Sequence, residues 1–217
     1  MKSKKNEFSV EKPRLPSLLE DMNLSYEDLQ DEEYISSVNI TNFHLQGESV
    51  KRVNLTETIL KGSTFIGCSF QRAELVDVRF QNCDLSNVNL ESAIIHRVEF
   101  INCKLIGINL SEANLKNITF SECNLRYALF SFSKFNEIKF NECELGLSDF
   151  QEANFSKVGF YDSNLSECHM EGARLKDIDL TSCDIEGITI SIEDLKGVIV
   201  SPIQAVSLSK LMGIIIK

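Results

Sequence analysis

Ala113-Asn114-Leu115-Lys116-Asn117-Ile118-Thr119-Phe120-Ser121-Glu122-Cys123-Asn124-Leu125-Arg126-Tyr127 divides into three units of five, each centred on a large apolar residue: Leu115, Phe120 and Leu125. Two positions before each centre stands a second inward candidate, here Ala113, Ile118 and Cys123, and the other three positions are mostly polar. The register continues in both directions without a break. Every position divisible by five from Ile35 to Val200 is Leu, Phe, Ile, Val or Met. A period of five matches neither the 3.6 of a helix nor the 2.0 of a strand. A solenoid that turns a corner in every unit accommodates it.

Residues one full turn apart in a solenoid stack and should resemble one another. Cys83, Cys103, Cys123 and Cys143 form one column, interrupted by Ser163 and resumed at Cys183; Ala73, Ala93, Ala113, Ala153 and Ala173 form another. Val78, Val98, Ile118, Ile138, Val158 and Ile178 make a third, and Phe80, Phe100, Phe120, Phe140 and Phe160 recur at the same spacing of 20. Twenty divided by five gives four sides. The central residues from Ile40 to Leu195 fill eight coils, so at ~4.8 Å per stacked strand the rod is ~38 Å long.

Units such as Ala113-Asn114-Leu115-Lys116-Asn117, Cys123-Asn124-Leu125-Arg126-Tyr127 and Ala153-Asn154-Phe155-Ser156-Lys157 resemble the pentapeptide-repeat family, whose unit is a small residue, Asp or Asn, a central Leu or Phe and two variable residues. The resemblance implies an all-β fold, a right-handed quadrilateral parallel β-helix. The expected organisation is an N-terminal arm and helical cap over 1–35, the β-helix over 36–200, and a capping and dimerisation module over 201–217.

Pro13 and Pro16 precede Ser17-Leu18-Leu19-Glu20, and Ser25-Tyr26-Glu27-Asp28 follows. Both stretches have an N-cap with an acidic residue three positions on, which predicts two short helices over the first coil. At the other end, Ser201 before Pro202 predicts a helix start and Gly213 a stop, with Ile214-Ile215-Ile216 as a short strand. Glu48 and Glu193 fall at inward positions, where an unpaired carboxylate is costly, and predict distorted terminal coils. The stretch from Gly197 to Ala205 and the ending Leu211-Met212-Gly213-Ile214 look like the C-terminal module of the Qnr quinolone-resistance group. That resemblance implies a homodimer joined end to end through Ile203, Val206, Leu208, Leu211, Met212, Ile214, Ile215 and Ile216.

The net charge of −10 argues against attraction to DNA, RNA or anionic membranes. The charge is unevenly placed. Ser36–Phe140 carries 10 acidic and 11 basic residues, whereas Asn141–Asp194 carries 13 acidic and 3 basic. Those three, Lys157, Arg174 and Lys176, share the side whose inward column is Ala153 and Ala173; the other three sides carry Glu142, Glu144, Asp149, Glu152, Asp162, Glu167, Glu171, Asp179, Asp184 and Glu186. Ten net charges over ~13 Å of rod is about one per 1.3 Å, close to the roughly 1.7 Å per charge of duplex DNA. Acidic side chains also keep a β solenoid soluble and discourage edge aggregation.

The family resemblance implies an acidic DNA mimic that binds DNA gyrase or topoisomerase IV, as a protein partner, and relieves quinolone poisoning. The familiar Gram-negative Qnr members interrupt the coil with projecting loops, and the unbroken register here leaves no room for them, which points to the loop-free relatives. Two other roles use such a surface: a scaffold for some other protein, and immunity to a peptide toxin that poisons gyrase.

Catalytic chemistry finds no support in the residues. The seven cysteines lie at inward positions without a CxxC pair, and are expected to be buried free thiols rather than metal ligands or disulfides. His44, His96 and His169 fall outward on different coils, and no GxGxxG or Walker loop occurs. No cofactor is implied. No apolar run reaches the roughly 18 residues of a membrane span and no signal-peptide core follows the basic start, so a cytoplasmic protein is expected.

Overall fold

Each five-residue unit folds as one side and one corner. In the computed structural model, which describes residues 8–29 and 34–215, the backbone enters the left-handed region every fifth residue, as at Arg72 (φ 59°), Asp77 (φ 58°), Asn82 (φ 55°) and Asn87 (φ 55°). Four such corners close a coil, and each coil stacks on the next in parallel register 20 residues on.

Two adjacent sides are spanned by strands that run through a corner: β5 (Asn54–Lys61), β7 (Glu74–Gln81), β8 (Ile94–Ile101), β9 (Asn114–Ser121), β10 (Lys134–Asn141) and β11 (Asn154–Tyr161). In the first coil β2 (Tyr34–Ser36) and β3 (Val38–Thr41) divide these sides between them, both pairing with β5. The inward residue just past that corner is Thr58, Val78, Val98, Ile118, Ile138 or Val158, and β-branched side chains favour the extended backbone needed there. A third side opens with β4 (His44–Gln46) on β6 (Thr64–Ile66) and continues as single bridges, Thr64↔Asp84↔Lys104↔Asn124. The fourth is bridged throughout, from Ser49↔Ser69 to His169↔Thr189.

The interior is a set of side-chain ladders. Phe80, Phe100, Phe120, Phe140 and Phe160 are in register and stack with centroids 5.0, 4.9, 4.9 and 5.0 Å apart. All seven cysteines are free and buried. Five of them, Cys83, Cys103, Cys123, Cys143 and Cys183, share an inward column with Ser63 and Ser163, because the position takes a small donor: the Cys103 thiol donates to Phe80 O (3.5 Å) and Ile101 O (3.4 Å), as Ser163 Oγ donates to Tyr161 O (2.8 Å). Burial pushes the Cys168 thiol up to about 12. Near the N-terminal end, where Leu60 and Ile40 succeed the phenylalanines, an apolar void of about 30 Å³ remains among Leu24, Leu29, Ile40 and Leu60.

The N-terminal segment departs from expectation. No helix forms at Ser17–Glu20; residues 8–19 are irregular, and β1 (Glu20–Asp21) pairs in parallel with β3. Pro13 and Pro16 lack N–H groups and bias the residues before them toward extended backbone. The free N–H groups bond to the rod instead: Glu11 N donates to Asn117 Oδ1 (3.1 Å) and Arg14 N to Asp77 Oδ1 (2.8 Å). The second expected helix is a single 3₁₀ turn, Tyr26–Asp28, with the Ser25 N–H and hydroxyl both donating to the Asp28 carboxylate. Residues 8–19 thus run along the outside of the coils, and residues 20–29 cover the first coil with β1 and the buried Leu24 and Leu29 rather than with helices.

At the C-terminus α1 (Pro202–Ser209) starts where expected, with Ser201 as N-cap, and Gly213 ends the segment in the left-handed region (φ 72°). Gln204 Nε2 ties the helix to the last coils by donating to Leu180 O and Cys183 O, both at 2.8 Å. Ile214 and Ile215 do not form the expected strand, since Ile214 N donates back to Ser209 O (3.4 Å); Ile216 lies outside the described residues. The terminal coil is loosened at Glu193, as its inward charge requires: Glu193 is exposed and pairs with Lys196.

Candidate interaction surface

The ten C-terminal acids sit on a backbone that uses part of their chemistry and leaves the charge free. Asp149, Asp179 and Asp184 each stand one residue before a central apolar residue, where a side-chain oxygen accepts the N–H two residues on: Gln151 (2.8 Å), Thr181 (3.0 Å) and Glu186 (3.0 Å). This is the Asx turn, and Asn89, Asn109, Asn124 and Asn164 make it elsewhere on the rod. The fold requires the oxygen, not the charge. Glu142, Glu152, Asp162 and Glu167 occupy left-handed corners, from which side chains project into water.

The structure brings several of these acids onto neighbouring coils. Glu152 N donates to Glu171 O (2.8 Å) and Glu167 N to Glu186 O (2.7 Å), which sets each pair side by side one coil apart. Glu144 and Asp184 flank Asn164 in one ladder, and Asn164 Nδ2 donates to Glu144 (3.0 Å).

Ion pairs distinguish the two halves of the rod. On the earlier coils four acids meet bases one coil away: Glu99 with Arg79 (2.8 Å), Asp77 with Arg97 (2.6 Å), Asp84 with Lys104 (3.2 Å) and Glu137 with Lys157 (2.6 Å). Among the described residues none of the ten C-terminal acids is in an ion pair. Lys157 is itself engaged with Glu137, which leaves Arg174 and Lys176 as the other bases of this region, on the remaining side.

Beyond the acids, the C-terminal module presents apolar side chains to solvent: Ile203 is 81% exposed, Met212 61% and Ile215 85%. Val206, Leu211 and Ile214 are exposed as well, and Leu208 is partly buried against the core. A cluster of this kind marks a contact surface more often than a scatter of single residues does.

Two features escape a reading by period alone. Asp77 and Asn117, corner residues in the pattern, are buried and hold the N-terminal arm. Burial pushes the Asp77 carboxyl up, but the Arg97 guanidinium and the Arg14 N–H outweigh it and hold it below the usual range. The second is a set of exposed apolar residues on one coil, Tyr127, Leu129 and Phe132. Its signal in the sequence is an aromatic residue at corners that are Asn87, Gly107, Ser92 and Glu112 on neighbouring coils.

The histidines are not gathered: His44 bonds Thr64 Oγ1 (2.9 Å), His96 lies against Arg97, and His169 is exposed on a later coil. Among the described residues no group of three or more His, Cys, Asp or Glu could hold a metal ion, and no helix is long and apolar enough to cross a membrane.

In comparisons with known proteins, the family described as pentapeptide repeat region matches residues 73–150, and pentapeptide repeats (8 copies) match residues 159–191. No curated protein sequence matches the chain significantly. Among solved structures, a trypsin-treated form of QnrB1, described as a plasmid-mediated fluoroquinolone resistance protein, is 20% identical with a TM-score of 0.47, covering 82% of this chain and 100% of that one. Full-length QnrB1 is 22% identical with a TM-score of 0.43, covering 90% and 95%. HetL, a pentapeptide-repeat protein involved in heterocyst differentiation regulation in the cyanobacterium Nostoc, is 20% identical with a TM-score of 0.37, covering 81% and 93%. At such identities the likeness concerns the fold alone.

Proposed function

The chain belongs to the pentapeptide-repeat family, whose members are non-catalytic scaffolds, and we propose that it is an acidic DNA mimic that occupies the DNA-binding surface of DNA gyrase or topoisomerase IV and thereby protects the enzyme from quinolones. The observation that carries this reading is the unpaired charge of the C-terminal coils. Asn141–Asp194 holds 13 acids against 3 bases, and the ten acids on three of its sides have no ionic partner among the described residues. A rod needs acids for solubility, but solubility does not require bases to match them in number along one part of the rod and to be nearly absent from three sides of the other. Such a field attracts a basic saddle, speeds encounter and repels nucleic acid itself.

The exposed apolar module at Ile203, Val206, Leu211 and Met212 supports a second element of the reading, a homodimer joined at the C-termini. Joining two rods there places both acidic segments beside the junction and doubles the length of the charged surface. The partner-binding residues are then Glu142, Glu144, Asp149, Glu152, Asp162, Glu167, Glu171, Asp179, Asp184 and Glu186.

Asp149→Asn, Glu152→Gln, Glu167→Gln and Glu171→Gln together test this. Asparagine preserves the Asx turn at Asp149, so the fold should survive. Binding to the gyrase A subunit or its topoisomerase IV counterpart should fall by at least about a hundredfold at low salt, and unchanged affinity would remove the acidic surface from the interface.

A further inference from the structure

The two sides formed by residues 123–132 carry something a pure charge mimic does not need. Phe132 is 57% exposed, Tyr127 50% and Leu129 40%. Tyr127 and Phe132 both stand at left-handed corners, each with φ 60°. For a residue with a Cβ that conformation costs roughly 1–2 kcal/mol, and an aromatic ring left half in water recovers little of the cost through burial. The same corner columns use Asn87 and Gly107, or Ser92 and Gly172, on other coils, residues that fit the backbone with less strain or less exposed apolar surface. Half-buried Leu147 (φ 63°) follows Tyr127 in its column, but Phe132 has Glu112 and Glu152 on its flanks, so the rod gains little from a ring there.

The surroundings indicate what the rings meet. Leu129 bridges Asp149 on the next coil, whose carboxylate is oriented by the Ser131 hydroxyl (2.9 Å) and the Gln151 N–H (2.8 Å). Phe132 N donates to Gln151 O (2.9 Å), which places the ring beside Glu152; Glu112 lies on its other flank, one coil earlier. Two bases adjoin the cluster, Arg126, with its guanidinium 5.6 Å from the Tyr127 ring centre, and Lys134. From Asp149 onward the neighbouring charge is negative and unpaired. Aromatic anchors in the middle of a polar, charged surround are the arrangement of an interface hot spot.

We propose that Tyr127, Leu129 and Phe132 form an apolar anchor that docks into an apolar pocket flanked by Arg or Lys side chains on the protein that the acidic coils engage. This rests on the topoisomerase reading and adds a term to it. The acids supply a salt-sensitive attraction that DNA would share, whereas the anchor supplies a salt-insensitive contact that DNA lacks. Its consequence is selectivity for a protein that offers a pocket beside its basic surface, over basic surfaces in general.

The test uses the full chain with Tyr127→Asn, Leu129→Asn and Phe132→Ser, each matching a residue in the same column at Asn87, Asn109 or Ser92. Affinity for gyrase and for topoisomerase IV is measured from low to moderate salt, beside the four-acid variant. The anchor variant should bind at least about tenfold more weakly, equivalent to about 1.4 kcal/mol, with an unchanged slope of log Kd against log salt; the acid variant should flatten that slope. If the triple variant melts lower than the parent, Phe132→Ser alone carries the test, with about a fivefold loss expected. Parental affinity in the anchor variant, with loss in the acid variant, overturns the anchor and leaves the acidic reading standing. A parent protein that binds neither enzyme overturns both. A change in self-association on sedimentation of the anchor variant alone assigns the patch to a second copy and likewise overturns the proposal.

Discussion

Replacing Phe120 by alanine removes the middle ring of a five-ring stack, and its cost can be worked from the structure. The side chain is 1% exposed and lies 4.9 Å from both Phe100 and Phe140, nearly parallel to each. A buried Phe→Ala change costs about 3–5 kcal/mol through lost transfer energy and the cavity left behind. Two aromatic contacts add about 0.5–1.5 kcal/mol each, partly counted in the first figure, so we expect about 4–5 kcal/mol. Because each coil touches only its neighbours, the loss falls at the two interfaces that flank Phe120 and weakens the coupling between the rod's halves. Urea unfolding followed by circular dichroism measures it, with Phe132→Ala as control; that ring is exposed, and its loss should cost under about 0.5 kcal/mol. A penalty below about 2 kcal/mol at Phe120, or equal penalties at the two sites, contradicts the ladder account of the core.

Breaking the arm's anchor with Asp77→Ala removes the acceptor of the Arg14 N–H and leaves the Arg97 guanidinium, only 13% exposed, without its partner; roughly 3 kcal/mol should be lost, and proteolysis within residues 8–19 should accelerate while the later coils stay protected. The folded-state carboxyl of Asp77 is held below its ordinary value, so its contribution is present above the ordinary aspartate range and is lost as pH falls through the depressed value; an acid titration should release the arm only below about pH 4. Gln204→Ala deletes two bonds to the last coils and one to the Ser201 N–H, so hydrogen exchange in residues 202–209 should quicken at a cost of about 1–3 kcal/mol. Ile203→Asp with Met212→Asp places charge in the proposed junction and should convert a dimer to a monomer by sedimentation, with the melting of the rod unchanged.

Much of this was legible because the solenoid repeats one environment. The apolar residue at every fifth position could be read directly, and the column of Phe80, Phe100 and Phe120 gave the coil length without knowledge of any contact. The ten acids were legible as exposed for the same reason, since each falls at an outward position of a known register. What repetition does not encode was missed. Ser17 to Glu20 carries a helix-start pattern, yet Pro13 and Pro16 leave the segment extended and the rod offers it acceptors; no local rule reveals that Asp77 and Asn117, more than 60 residues away, receive Glu11 and Arg14. Ile214 and Ile215 have strand propensity but no partner edge, and an isolated strand is not stable. The absence of partners for the acids also needed coordinates, because an acid at an outward position on the early coils, such as Glu99, finds Arg79 one coil away, and its counterparts on the later coils find no base.

The most direct measurement of the central claim is a supercoiling assay with gyrase from the same host, titrated with the purified protein in the presence of a quinolone at low and moderate salt. The account predicts that submicromolar protein restores supercoiling and that restoration weakens as salt rises. Quinolone inhibition unchanged across the titration at both salts, with topoisomerase IV equally unaffected, would contradict it.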